Sequence, residues 1–184
     1  MVTKQELRKS ALATRKTLTE QECVRSDAGI AAMLIKELEF DAFDTFLFFY
    51  PLKGEVSLLS LAKQLLDVGK QLAFPRVHGD TMDFYRIRNL YSDFTEGSFH
   101  VMEPNTEDLA DLSRSLCFVP GLVVDAQGYR VGYGKGYYDK YFSAHPNITK
   151  VGICRNRFFV PEIAHDSFDL PVDLVITETT AYRP

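Results

Sequence analysis

The chain has 184 residues, 46% hydrophobic and 25% charged, with a formal net charge of -4. Those proportions suit a globular protein with a core of good size and exclude disordered, collagen-like and coiled-coil classes. A mildly acidic chain without basic blocks also lacks the electrostatic footprint of a nucleic-acid binder, although it still permits a local basic pocket for a small anion.

The amino-terminal MVTKQELRKS is charged and has no apolar h-region, and no window approaches the roughly eighteen apolar residues of a membrane span. A cytoplasmic monomer with one domain over residues 1–184, no membrane anchor and no nucleic-acid partner is therefore the expectation. Cys23, Cys117 and Cys154 are widely spaced with no CxxC pairing. That spacing argues against a disulfide framework or a zinc site and predicts three small buried apolar residues.

Taken in chain order, Thr3–Glu6 and Thr19–Glu22 both read as capping boxes, so two helices open the chain. In the first, Lys4 and Arg8 stand four apart and share a helix face, where they can grip one anion. TFLFFY, residues 45–50, is a short apolar run ended by Pro51 and predicts a strand buried on both faces. SLLSLAKQLLDVGK predicts a helix from about Ser57 that stops at Gly69, and QLAFP the next strand, which makes a βαβ unit. MDFYRI alternates like a strand with one wet face. The polar stretch from Asn105 to Arg114 predicts a mobile connection, and SLCFVPGLVV another buried strand, interrupted at Pro120-Gly121. GYYDKYFSAH reads as a helix, and KVGIC and DLVIT as further β-branched runs. Strands interleaved with helices predict an α/β, layered α/β/α architecture with a central, largely parallel (mixed) sheet, Rossmann-like in character.

Between an apolar strand and a helix lies RVGYGKGYYDKYF, residues 130–142, with three alternating glycines, four tyrosines and an aspartate. This is where α/β proteins place phosphate-binding turns. Gly132, Gly134 and Gly136 leave the backbone open to positive φ, so that successive N–H groups can converge on a phosphate. The helix dipole beginning near Gly136 and the charge of Lys135 favour the same guest. The loop is not a Walker A loop, because Tyr129 and Gly136 stand where that motif needs glycine and Ser or Thr. Nor is it a dinucleotide fingerprint, whose third glycine would fall at Tyr137. A glycine turn that merely lets a strand meet a helix closely is the structural alternative. Lys135, Arg130 and Asp139 clustered around the glycines favour a binding loop.

The run VPGLVVDAQGYRVGYGKGYYDKYF closely resembles the signature of the 5-formyltetrahydrofolate cyclo-ligase family, also called methenyltetrahydrofolate synthetase. Resemblance extends over nearly the whole chain through KQELR, YPLKGEV, LAFPRV with MDFYRI, MEP at residues 102–104, and HDSFDLPVDLVIT. It implies an ATP- and magnesium-dependent enzyme that converts 5-formyltetrahydrofolate into 5,10-methenyltetrahydrofolate through a phosphorylated formyl group. By the same resemblance, Lys4, Arg8 and the stretch Arg130, Gly132, Gly134, Lys135, Gly136, Tyr137 and Tyr138 match ATP contacts. Asp139 and Asp173 match magnesium ligands, although each also fits a helix or strand-end cap. Glu55 matches a pterin-binding carboxylate. Tyr133, Gly134, Lys135, Gly136 and Tyr137 border the family's folate pocket, with Lys135, Arg130 and Tyr137 as catalytic candidates; a core aromatic is the alternative for Tyr137.

One segment departs from the family. Where many relatives carry glutamine after the KVGIC strand, this chain reads RNRFF, with Arg155 and Arg157 adding charge. His78, His100, His145 and His165 show no metal spacing. Two further readings stand beside the ligase. A nucleotide- or folate-binding carrier or sensor could keep the fold without turnover, but the presence of Lys135, Asp139, Glu55 and Arg8 counts against it. A sugar-phosphate isomerase or coenzyme A transferase rests on fold analogy alone.

Overall fold

The computed structural model describes residues 2–97 and 100–184. Both capping boxes form: Thr3 and Glu6 close the start of α1 (Lys4–Arg15), and Thr19 and Glu22 that of α2 (Glu20–Glu37). β1 (Thr45–Leu47) is shorter than TFLFFY suggested, though Phe48 and Phe49 continue it as buried backbone. α3 spans Leu59–Asp67, two residues inside the expected start. It ends in a Schellman turn, in which Gly69, at φ 85°, donates to Leu66 O and Lys70 to Leu65 O. β2 (Gln71–His78) and β3 (Thr81–Ile87) form an antiparallel hairpin with Gly79 and Asp80 at its tip.

A small ribbon of β4 (Phe94–Glu96) and β5 (Met102–Pro104) follows. The Asn105–Arg114 stretch is not the loose connection its polarity suggested. Arg86 N–H donates to Asp108 O, Ala110 N–H to Phe84 O, and the Thr106 hydroxyl to Arg86 O, so the segment runs along the free edge of β3. β6 (Ser115–Pro120) is fully buried up to its terminal proline. The Pro120-Gly121 break then carries β7 (Val123–Asp125) out of the main sheet to pair with β8 (Arg130–Val131). α4 (Tyr137–Ala144) leads into β9 (Thr149–Ile153), β10 (Phe159–Val160), β11 (Leu174–Ile176) and β12 (Ala181–Tyr182).

The main sheet has the order β12-β11-β9-β6-β1-β2-β3, parallel throughout except at its two edge strands. Period-2 alternation sends neighbouring side chains to opposite faces. Phe46, Phe48, Leu116 and Phe118 pack under α2 and α3 with Ile30, Leu34, Leu61 and Leu65. Leu47, Cys117 and Val119 face α1 and α4 with Ala11, Tyr141 and Phe142. The layered α/β/α arrangement with a mixed, largely parallel sheet is thus the one expected from the sequence. Among the described residues no helix is long and apolar enough to cross a membrane.

Cys117 and Cys154 are buried, and burial pushes both thiols up, Cys154 to about 12. Cys23 is only half-buried: it shares the helix face of buried Ser26 and Ile30 but lies in the first turn of α2. The histidines pair with neighbours: His165 stacks on Tyr129 at 3.7 Å, His145 lies 4.4 Å from Tyr141, His78 meets the Tyr85 hydroxyl, and His100 meets Glu96.

Phe48 is fully buried, with its ring 4.8 Å from Phe118 and 5.6 Å from Phe74. Phe48→Ala is expected to cost about 3–5 kcal/mol, read in urea as a lower midpoint with an unchanged slope.

Candidate active site

Where β1 sends its connection to one side of the sheet and β6 lies on the other, the strand order reverses. Crevices outside the carboxyl ends of strands at such a point are where open α/β sheets bind ligands. A narrow cleft lies there, lined among others by Glu55 after β1, Gly121 after β6, and Cys154 and Arg155 after β9, with Arg15 across from them.

Glu55 is the acidic centre of this cleft. Its Oε1 accepts from Arg15 Nη1 at 3.2 Å and from the Tyr133 hydroxyl at 2.9 Å, while Oε2 accepts from Leu52 N–H at 2.9 Å. Arg15 Nη1 also donates to the Tyr133 oxygen at 2.7 Å. Both members of the ion pair are nearly enclosed, with side-chain exposures of 8% and 7%. The Arg15 stem passes so close to the preceding turn that a Cβ on Gly54 would lie 2.6 Å from Arg15 Cγ, and Gly54 itself sits at φ 79°. Glycine at that position therefore serves the arginine as well as the turn.

Burial and the Glu55 carboxylate push the Tyr133 phenol above its usual range, so its hydroxyl stays protonated and remains a donor. On the far side of the cleft Arg155, an arginine of unknown purpose in the sequence, is buried. It donates to Glu55 O at 2.9 Å and to Cys23 O at 3.2 Å, and it pairs with Asp27 at 2.9 Å. Arg157 instead lies half-exposed near Glu22.

The glycine loop forms the rim. Gly134 (φ 97°) and Gly136 (φ 67°) take the left-handed conformation; Gly132 does not, and its carbonyl accepts from Arg8 Nε at 2.8 Å. The Arg8 guanidinium lies against Gly134, where a Cβ would be 3.4 Å from Nη2. Lys135 is exposed on the loop. Tyr137 anchors the loop to the β2–β3 hairpin, its hydroxyl donating to Gly79 O at 3.0 Å. The Tyr138 ring turns inward against Phe84 and Phe142, leaving only backbone for a ligand there. Arg130 is likewise engaged, with Asp139 at 2.9 Å and Leu170 O at 2.8 Å.

Lys4 and Arg8 share a face of α1 without converging on one point. Lys4 binds Asp166 and Asp169, while Arg8 takes the loop carbonyl. For Asp169, burial alone would raise the carboxyl, but the Lys4 hydrogen bond and charge outweigh it and leave it below the usual range.

The chain matches the model of the 5-formyltetrahydrofolate cyclo-ligase family over residues 1–178. It belongs to that family. A probable 5-formyltetrahydrofolate cyclo-ligase of Schizosaccharomyces pombe is 30% identical over 71% of this chain and 72% of its own length. The 5-formyltetrahydrofolate cyclo-ligase of Mycoplasma genitalium is 28% identical over 96% and 98%. The solved 5,10-methenyltetrahydrofolate synthetase of Aquifex aeolicus superposes with a TM-score of 0.85 at 32% identity, covering 98% of this chain and 92% of that one. A Mycoplasma pneumoniae synthetase shares the fold, with a TM-score of 0.79 at 22% identity. This family member is accordingly a ligase enzyme.

Among the described residues no three His, Cys, Asp or Glu side chains gather at one point. Asp139 gives Oδ1 to Arg130 and to Leu170 N–H at 3.1 Å, and Asp173 gives Oδ2 to Lys150 N–H at 2.7 Å and Nζ at 3.0 Å. Each carboxylate is thus already paired with a basic side chain, and the described residues form no metal cluster around either of them.

Arg15 and Asp125 went unmarked in the sequence, and Arg155 was marked only as added charge without a role. Arg15 continues the stripe 4, 8, 11, 15 on α1, a period of 3.6 that extends the basic pair by two turns. Asp125 is fully buried, and its carboxylate receives the N–H groups of Gln127, Tyr129 and Ile163; the DAQG turn was its signal. Arg155 had no local signal, since its partners come from α2 and the loop after β1.

Arg15→Met would strand the enclosed Glu55 charge and is expected to cost about 3–5 kcal/mol, whereas Arg15→Met with Glu55→Gln is expected to recover most of it. Equilibrium denaturation of the two single variants and the double variant measures the coupling.

Proposed function

We propose that this enzyme cyclises 5-formyltetrahydrofolate to 5,10-methenyltetrahydrofolate, with ATP as phosphoryl donor and magnesium as its counter-ion. The observation that carries the reading is the direct contact between the two halves of the site: Tyr133 of the glycine loop hydrogen-bonds Glu55 in the cleft. A phosphate held by the loop and a ring held by Glu55 would therefore be neighbours, as transfer between them requires.

Glu55 accepts the aminopyrimidine edge of the pterin, for which a carboxylate offers two parallel acceptors. The formyl oxygen on N5 takes the γ-phosphoryl group and ADP leaves. N10 then attacks the activated carbon and gives up its proton, and phosphate departs with the electron pair of the C–O bond to give the methenyl cation. The chain's own contribution is positioning and charge stabilisation. Backbone N–H groups at Gly134 and Gly136, with Lys135, face the phosphoryl group. Lys4, Arg8, Arg130, Gly132 and the backbone of Tyr137 and Tyr138 surround the nucleotide. Tyr137, tied to the hairpin, borders the reacting end of the folate. Asp139 and Asp173 would hold magnesium, which would supply positive charge against the transferring group. A non-catalytic carrier on the same fold would bind both ligands without forming product.

With formyl substrate and magnesium ATP, the wild type is expected to generate the near-ultraviolet absorbance of the methenyl product; binding without that signal favours the carrier. Lys135→Ala is expected to lower kcat about 10²- to 10³-fold while leaving folate affinity nearly unchanged. Loss of affinity at constant kcat would reassign the lysine. Glu55→Gln is expected to weaken folate binding about tenfold or more by direct titration, since an amide keeps one acceptor and turns the other into a donor.

A further inference from the structure

The hydrogen bonds around Glu55 leave too little room for a substrate. A carboxylate has about four lone-pair sites, two per oxygen. Oε1 already takes two donors, Arg15 Nη1 at 3.2 Å and the Tyr133 hydroxyl at 2.9 Å, and Oε2 takes Leu52 N–H at 2.9 Å. Two parallel donors from one ring edge need a site on each oxygen, and Oε1 has none to give until a donor departs.

The three donors differ in their freedom to move. Leu52 donates through its backbone, within the turn closed by Glu55 N–H to Leu52 O at 2.9 Å. Arg15 is enclosed, threaded past Gly54, with its second nitrogen on Gly121 O at 3.4 Å. Tyr133 alone is half-exposed, at 50%, and it stands between two glycines, with Gly134 at φ 97°. Its own pivot is held, because Gly132 O accepts from Arg8 at 2.8 Å.

We propose that Tyr133 is a specificity-determining latch: its hydroxyl occupies the place on Glu55 that a ring N–H of the folate takes, and it is expelled when that ring binds. The inference rests on the reading of Glu55 as the pterin acceptor. A ligand with a single donor gains on Oε1 only what Tyr133 gives up, whereas a paired-donor edge gains a further bond on Oε2. The latch thereby selects for the aminopyrimidine edge. Its release also frees the residue between Gly132 and Gly134, so filling of the cleft changes the shape of the phosphate loop beside Arg8.

Calorimetric titration of the full chain with 5-formyltetrahydrofolate, without nucleotide, tests this directly. Tyr133→Phe keeps the ring and removes the competing hydroxyl, so it is expected to bind folate about three- to tenfold more tightly than wild type. In a Glu55→Gln background the same substitution is expected to change affinity less than twofold, because the contested acceptor is gone. A merely structural tyrosine predicts weaker binding or none of this coupling. Tyr133→Phe that binds as wild type or more weakly, with Glu55→Gln still weakened, overturns the latch and leaves the pterin reading intact. Glu55→Gln that binds as tightly as wild type removes both. Should Tyr133→Phe lose its thermal transition, Tyr133→Leu, which also lacks the hydroxyl, carries the same expectation.

Discussion

The enclosed ion pair between Arg15 and Glu55 is the constraint around which the site is organised. Taking both charges out of water costs several kcal/mol per ion, and their attraction compensates only when the remaining polar groups are satisfied. Here the compensation is partial: Leu52 N–H from the turn after β1, the Tyr133 hydroxyl from the glycine loop and Gly121 O from the break after β6 contribute, while Arg15 Nε is buried without a hydrogen-bond partner. Leu52 lies about seventy to eighty residues from Gly121 and Tyr133, which β7 and β8 join to each other. A pair that gains little net stability thus fixes the relative placement of α1, the cleft and the loop.

Sheet topology supplies the rest of the placement. With β1 and β6 side by side and their connections, to β2 and to β9, departing to opposite sides, the carboxyl ends of the two strands cannot both be covered by the connections that leave them. The gap is closed from across by α1, whose Ala11 is small enough to let the helix sit close and whose Arg8 and Arg15 reach the loop from the same face. The Pro120-Gly121 break turns the chain aside into β7 and β8, which deliver the glycine loop to the rim.

Much of this was legible in the sequence because it is local. Capping boxes, the Gly69 stop and the alternation of Phe46, Leu47 and Phe48 each depend on residues within a few positions of one another. The glycine loop was legible for the same reason, and the family signature over it extended the reading to Glu55. What stayed hidden were encounters between distant segments. Polarity made Asn105–Arg114 look loose, yet its backbone satisfies the exposed edge of β3. Shared spacing placed Lys4 and Arg8 on one face, but Asp166 and Asp169, more than 160 residues away, claim the lysine. Arg155 stood out only as added charge with no assigned role, and it is buried between Asp27 and the carbonyl of Glu55.

The distribution of sulfur has a practical corollary. Cys117 lies inside the sheet and Cys154 at the cleft wall, both with thiols held protonated by burial, whereas Cys23 sits half-open on α2 one helical turn before Asp27. Alkylating reagents therefore meet an uneven target in the native state, with attack directed to Cys23. Because Arg155 grips the main chain at that same residue, a spectroscopic tag there would sit at the outer end of the relay from α2 to Glu55, without a cysteine having to be engineered in.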